Sequence, residues 1–499
     1  MCIRDSLVPA GVVLGALVWA PLSALALLPL LVYYWPEIRL RDKASQRKEG
    51  VEKELPLFSV LVNIMGGAGV ALYPILESVA GTGIFEAIGK ETLAVKRDVM
   101  IFGMNPNDSL ERLASTHPSE KFSEFLNGYT SKVRTGGDIP SYLAGESGSM
   151  LREVEDTWTR YTSRVGIVGT MMITLFGVIP LLLLVVGAFS LGYSAAGLLL
   201  YVALGIPLFT VMTVAIAGRM QPAGEGPVRG SLLRSLAVSL PASGLAFVTG
   251  QAWTGAAAFI LVFFVTYGAT VRRQLRANRE VEESLPAFAK DMMEYKRQDY
   301  DLGRAVVNAS EANKYGPAFD KVLSKVAAGV KAGVPLDQVN PDTNSRLARM
   351  VFFLVGQMSK SGGGTVETMF QLSSYAGRAV EMKRAARAEM KPYTVLSYAA
   401  PLLLAFAVAF VGGILKAFEK SASLGLSTLH IGALQAGTAS PLLGQAASLL
   451  IVVSAGALGL IGTKMTDFTV KNTLRASLNL LVAIAAVEAL VILGLGFAA

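Results

Sequence analysis

Apolar residues follow two rhythms along this chain. In the first, apolar runs approach or exceed the roughly 20 residues that a helix needs to cross hydrocarbon about 30 Å thick. These runs are Leu7–Trp35, Val165–Phe189, Tyr193–Ala217, Leu232–Val248, Ala252–Val271, Tyr393–Leu415, Leu442–Ile461 and Leu478–Phe497. Pro9, Pro21 and Pro29 break the first run, which reads either as one tilted span or as a hairpin of two short ones. The tally is therefore eight or nine transmembrane helices.

The second rhythm fills the stretches between. In Leu55–Ile64, Leu72–Val79, Val95–Phe102 and Phe122–Val133, apolar positions recur three or four apart, the spacing of a helix with one face in a core. Breaks fall where turn chemistry predicts them: Gly66-Gly67, Gly81-Thr82-Gly83, Asn105-Pro106-Asn107-Asp108 and Asn340-Pro341-Asp342. No run alternates apolar and polar residues as a half-buried strand would. The fold class is all-α, a polytopic membrane protein with two helical bundles outside the hydrocarbon. The expected parts are a span or hairpin at 7–35, a first bundle at 36–163 and four spans at 164–271. A second bundle follows at 272–392, then three spans at 393–499 with an outer loop at 416–441.

The two bundles carry matching landmarks. Val51-Glu52-Lys53-Glu54-Leu55-Pro56-Leu57-Phe58 opens the first, and Val281-Glu282-Glu283-Ser284-Leu285-Pro286-Ala287-Phe288 opens the second. Near the far end of each stands a basic residue before a glycine turn, Arg134-Thr135-Gly136-Gly137 and Lys360-Ser361-Gly362-Gly363. Landmarks repeated at one long spacing indicate a duplicated structural unit.

Charge orients this plan. The net charge of +8 is concentrated outside the spans. Residues 35–163 hold 15 Lys/Arg and 18 Asp/Glu, and residues 272–392 hold 20 and 14, so together they carry 35 of the 45 basic residues. Basic loops are retained in the cytoplasm, which puts both bundles on that side. Four spans between them return the chain to the face it left. The same distribution argues against nucleic acid as the partner, and the basic second bundle is suited to an acidic protein or anionic lipid.

The chain offers little for catalysis. Its histidines are His117 and His430, neither at ligand spacing from a Cys or carboxylate. Cys2 is the sole cysteine, so no internal disulfide and no CxxC metal site is available. Gly83–Lys90 imitates a phosphate loop, but Glu91 stands where a magnesium-binding Ser/Thr would be. No cofactor, metal or catalytic residue is assigned, and the chain is not expected to be an enzyme.

The doubled Leu-Pro-x-Phe openings (Leu55–Phe58, Leu285–Phe288), the doubled Gly-Gly turns and the alternation of bundles with membrane hairpins resemble the type II secretion F family, in its archaeal pilus and archaellum form. Membership implies the platform of a type IV filament machine in the cell membrane, with both bundles in the cytoplasm. A hexameric secretion ATPase and prepilin or archaellin subunits would be its partners, beside lipid and a second copy of the chain. A bacterial tight-adherence relative fits the same pattern.

Within that resemblance, Arg134 and Lys360 are candidate ATPase contacts, against the simpler reading that their glycines only end helices. Arg219, Arg229, Lys464 and Lys471 are candidates for a membrane-proximal rim, and with Arg475 they also serve as topology anchors. Glu488, a carboxylate well inside a span, either meets a prepilin or pairs with a Ser, Thr or Asn of a neighbouring helix. The competing reading is a secondary transporter or channel. Transporters, however, place their symmetry in the spans themselves, and here it lies in the bundles.

Overall fold

The last turns of the helix that opens the first bundle show how the sequence builds it. The computed structural model describes residues 28–189, 194–221, 230–249, 252–362, 364–423 and 441–492. Helix α1, Leu28–Gly67, contains both Pro36 and Pro56. Val51, Leu55, Phe58, Leu61, Val62 and Ile64 of this helix are buried. Around it pack α2 (Leu72–Val79), α3 (Glu86–Met100), α4 (Pro106–Thr116) and α5 (Glu120–Thr135). Phe58 sits at the centre, edge-on to Phe85 at 6.0 Å and to Phe125 at 6.3 Å.

Polar side chains from α1 fix where its neighbours start. Phe85, which precedes α3, has no capping side chain. Glu54 supplies the cap instead, accepting from the backbone N–H groups of Glu86, Ala87 and Ile88 at 2.9 to 3.0 Å. Ser119 caps α5 by accepting from Phe122 N–H, and its hydroxyl donates to Glu52 at 2.9 Å. Asn105 caps α4, with Pro106 at the first helical position. This first unit extends to Ser147, short of the end expected at 163.

The second unit takes in Gly148 onward together with Gly67–Gly69. The chain enters it within α6, Ile139–Ile173, which leads through a π-helical turn, Thr174–Val178, into α7, Ile179–Phe189. Next come α8 (Ser194–Leu200), a second π-helical turn (Tyr201–Gly205), α9 (Ile206–Met220) and α10 (Leu232–Thr249). Helix α11, Ala252–Arg297, carries both an apolar run and the opening of the second bundle. That bundle adds α12 (Leu302–Ala312), α13 (Pro317–Lys331), α14 (Arg346–Ser361) and α15 (Val366–Glu389). Helices α16 (Lys391–Ser423), α17 (Pro441–Asp467) and α18 (Thr473–Ile492) complete the chain.

The second bundle uses the same devices. Phe288 of α11 meets Tyr315, Phe319 and Phe352 with centroids at 6.0, 5.4 and 5.4 Å. Ser345 caps α14, and its hydroxyl donates to Glu282 at 2.9 Å, as Ser119 does to Glu52. At the start of α13 the cap is moved by one turn. Ser284 stands where Glu54 stood and donates to the Tyr315 carbonyl, while Glu280, four residues earlier, accepts from Ala318 N–H at 2.8 Å.

No strand occurs among the described residues. Among the described residues, six helices are long and apolar enough to cross a membrane: Ile139–Leu183, Gly197–Met220, Trp253–Arg297, Val366–Ile414, Gly444–Asp467 and Thr473–Ile492. Leu232–Val248 is a shorter apolar helix. Six of the seven spans expected after residue 163 fall on helices of crossing length and the seventh on the shorter one, while most of Leu7–Trp35 lies outside the described residues. Helix α17 is the centre of the membrane part, with Leu450, Ile451, Val452 and Ile461 buried. A side chain at Gly459 would come within 2.6 Å of the Ala476 backbone, so the small residues of α17 serve packing inside the unit.

Phe288→Ala is expected to destabilise the second bundle by about 3–5 kcal/mol, the usual cost of emptying a buried aromatic site. Limited proteolysis of the purified protein checks this, with earlier cleavage expected in α12 to α14.

Candidate functional site

Each glycine turn ends its helix in the left-handed conformation that residues with a Cβ adopt at a cost. Gly136 has φ 67° and Gly362 has φ 68°. At the first, Gly137 N–H donates to the Lys132 carbonyl at 2.9 Å and closes the turn. Arg134 and Lys360 are exposed beside these turns, and neither hangs loose. Arg134 pairs with Glu111 at 2.7 Å, and Lys360 pairs with Asp337 at 3.2 Å. Each tip therefore presents a mixed-charge surface of settled geometry.

The rim residues divide. Arg219, in the last turn of α9, and Lys471, between α17 and α18, are both exposed. Lys464 is half-buried and turned inward, donating to Gln221 Oε1 at 2.5 Å and to the Phe468 carbonyl at 3.2 Å. These bonds bring the end of α9 to the end of α17. Arg475 donates to Thr466 Oγ1 at 2.9 Å and pairs with Asp467 at 3.3 Å. Arg279 of α11 reaches the same aspartate at 3.6 Å. Arg279, within α11, thus meets the end of α17 and the start of α18, and Lys464 ties the end of α9 to the same place through Gln221. Arg229 and His430 lie outside the described residues.

Glu488 is exposed on α18, without a hydrogen-bond or ion-pair partner among the described residues. The polar contact between spans is made elsewhere, where buried Asn479 of α18 donates to Ser397 Oγ of α16 at 3.3 Å. The sequence drew attention to Glu488 because it is charged and passed over Asn479 because it is neutral. Asn residues within apolar runs are the signal that would have found it.

Two further features were missed. Thr174–Val178 and Tyr201–Gly205 are π-helical turns, and the Tyr201 hydroxyl donates to the Leu175 carbonyl at 2.5 Å. A π turn disturbs the regular bonding of a helix, and here a side chain of one such turn satisfies a carbonyl of the other. Beside the first turn lies an apolar cavity of about 260 Å³ lined by Gly169, Met172, Val178, Tyr393, Ala400 and Leu404, among others.

The other feature is in the first unit, where Arg47 grips Glu91 through Nε at 2.7 Å and Nη2 at 2.5 Å. His117 is buried beside them. Its Nδ1 accepts from Ser119 N–H at 3.0 Å, and its Nε2 stands 3.7 Å from Glu91. Burial alone would raise the Glu91 carboxyl, but the Arg47 guanidinium, with His117 adjacent, outweighs it and holds the group at about 2. The N–H groups that a phosphate loop would turn toward its ligand are those Glu54 already caps. Among the described residues no group of His, Cys, Asp and Glu is placed to hold a metal.

Residues 58–187 match the family model for the type II secretion system (T2SS), protein F. The chain carries a type II secretion system F domain. Its F domain opens at Phe58, the aromatic centre of the first bundle, and runs into the apolar helices that follow. The protein is a multi-pass membrane component of a secretion or pilus-type machine. Proteins with this domain generally work with an ATPase and pilin-like subunits. The chain is 18% identical over 403 residues to an uncharacterized protein of Methanocaldococcus jannaschii, covering 71% of this chain and 67% of that one. No solved structure matches.

The lowered Glu91 carboxyl gives a signed pH dependence. A group whose folded value is depressed contributes stability above its unfolded value, about 4.3, and loses it as pH falls through the folded value. Glu91→Gln is expected to weaken the first unit at pH 7 by about 1.5–3 kcal/mol, the scale of hydrogen bonds to a charged group. In thermal melts the gap to the unchanged chain should close between pH 4 and pH 2.

Proposed function

We propose that this protein is the membrane platform of a type IV filament machine, a pilus or archaellum, or of a type II secretion-like apparatus. It couples a cytoplasmic hexameric ATPase to the extraction of pilin subunits from the membrane and their assembly into a filament. The F domain on a multi-pass chain is the observation that carries this reading. Two bundles built on the same contacts support it, the Ser119–Glu52 and Ser345–Glu282 bonds and the aromatic clusters on Phe58 and Phe288. We take them as two copies of one module, both facing the cytoplasm.

Mechanically, the chain offers direct routes from water to hydrocarbon. Helix α6 runs unbroken from 139 to 173, and α11 from 252 to 297. Only Met390 separates α15 from α16. A push on a bundle would pass along helices with no flexible linker to absorb it. The ATPase is expected to meet the exposed charges at Arg134, Lys360, Arg219 and Lys471, which favour fast and oriented docking over raw affinity. The exposed carboxylate of Glu488 on α18 is expected to meet a cationic pilin segment. A platform of this kind works as a dimer or larger assembly and hydrolyses no nucleotide itself.

Co-purification with candidate secretion ATPases in mild detergent tests the reading. Arg134→Ala with Lys360→Ala is expected to weaken capture on the order of tenfold, equivalent to about 1.4 kcal/mol. Melting should hardly move, since exposed ion pairs contribute about 0–1 kcal/mol. Undiminished capture would reduce both tips to plain helix-ending turns. A chain that captures no such ATPase, or that hydrolyses nucleotide alone, contradicts the platform reading.

Glu488→Gln is expected to leave folding unchanged and to reduce filament assembly in cells lacking the native chain. Normal filament numbers would remove Glu488 from the pilin path.

A further inference from the structure

Arginine is concentrated in one concave place within the second unit. A cavity of about 140 Å³ is lined by Arg272, Leu275, Arg276 and Arg279 of α11, Arg387 of α15, Asp467 at the end of α17, and Asn472 and Arg475 at the start of α18. Five arginines and one aspartate line it, a formal charge of +4, with the Arg387 guanidinium also over the Phe468 ring at 5.5 Å. That carboxylate is fully engaged: Asn472 donates to it at 2.6 Å, and Arg475 and Arg279 lie at 3.3 and 3.6 Å. Of the acidic residues of α11 that follow these arginines, Glu280 accepts from Ala318 N–H, and Glu283 lies near enough to Arg279 to attract it. Glu282 accepts from Lys383 and Ser345, and Glu283 pairs with Arg384 at 3.7 Å. No carboxylate among the described residues forms an ion pair with Arg272 or Arg276.

Positive groups held this close repel one another, and repulsion grows as water is displaced from between them. Topology anchoring requires only that basic residues remain on one side of the membrane. It does not require arginines from three helices to converge on one cavity. Convergent guanidinium forks at the first turn of a helix are suited to a bound phosphate, which they meet through paired N–H donors. The depth of the cavity selects the source. Arg272 directly follows the apolar run of α11, Asp467 ends that of α17, and Arg475 opens that of α18. Lipid phosphates lie at this boundary. The cavity is also below the roughly 300–1,000 Å³ of sites that enclose a drug-sized ligand such as a nucleotide.

We propose that this arginine cavity binds the phosphate group of an anionic phospholipid from the adjoining leaflet. The bound headgroup ties the first and last helices of the second bundle, α11 and α15, to the α17–α18 hairpin. The proposal stands on the cavity and does not depend on the identity of the filament or its ATPase.

The test uses the full chain purified in neutral detergent. Phosphatidylglycerol, phosphatidylcholine or inorganic phosphate is titrated in, and binding is read by native mass spectrometry and thermal melts. Phosphatidylglycerol should bind and raise the melting temperature, and phosphatidylcholine should do so far less. Arg272→Gln with Arg276→Gln, which breaks no ion pair among described residues, should weaken phosphatidylglycerol binding on the order of tenfold. Without lipid the same variant should melt no lower than the unchanged chain, which shows that it folds. Arg273→Gln with Arg304→Gln removes equal charge outside the cavity and should leave binding intact. Equal response to the two lipids, equal loss in both double variants, or inorganic phosphate matching phosphatidylglycerol at equal concentration would each overturn the proposal.

Discussion

A peptide group in hydrocarbon has no water to bond with, and this constraint governs where every other feature of the chain is placed. Helices meet it within themselves. Where they depart from regular geometry, the chain must supply a substitute. The Tyr201 hydroxyl on the Leu175 carbonyl joins two π-helical turns in this way. Charge obeys the same constraint. In the second unit the arginines of α11 past its apolar run meet the charged end of α17 and start of α18, and Lys464 reaches Gln221 to remain at this level. Glu488 departs from that pattern, which is why an exposed carboxylate on α18 is a candidate for a contact made outside the chain.

Outside the hydrocarbon the controlling interaction changes to a glutamate on the first helix of each bundle, buried at Glu282 and half-buried at Glu52. Glu52 and Glu282 each accept from the serine that caps a helix far along the chain. A carboxylate with little access to water is stable only when its partners are in place, so each one fixes the start of a distant helix against the first helix of its bundle. Helix starts are then set by tertiary contacts as well as by local caps. Glu54 and Glu280 show the same task moved by one turn, which changes the residue and keeps the geometry.

These differences explain what the sequence made legible. Helix-only bundles, the apolar spans after residue 163 and the left-handed glycines at 136 and 362 depend on local pattern, and local pattern is visible in one chain. The resemblance to the type II secretion F family was legible because its landmarks came in pairs. The arginine cavity was not, because Arg276, Arg387, Asp467 and Arg475 come from four helices and meet only after the unit packs. Lys464 read as a presented charge because its inward partner, Gln221, is a neutral residue far away in sequence. Asn479 was hidden among apolar neighbours. Its bond to Ser397 links α18 to α16 at a depth where few alternatives to that partner exist.

The same geometry indicates where motion would pass if the platform reading holds. Helix α11 belongs to the second bundle through Phe288 and to the membrane core through Phe264, both buried on the one rod. Between them lie Arg272, Arg276 and Arg279, facing the base of α15 and the α17–α18 turn. Thr473 bonds the Phe264 carbonyl at 2.7 Å, so α18 begins against that rod. On that reading a displacement of the bundle would reach α11, α15 and the hairpin at one level, that of the arginine cavity. At Gly268 a Cβ would come within 2.1 Å of the Leu474 backbone, so α11 and α18 are in close contact immediately beside the arginines. With the proposed lipid phosphate in this cavity, leaflet composition would act on the junction of α11, α15 and the α17–α18 hairpin.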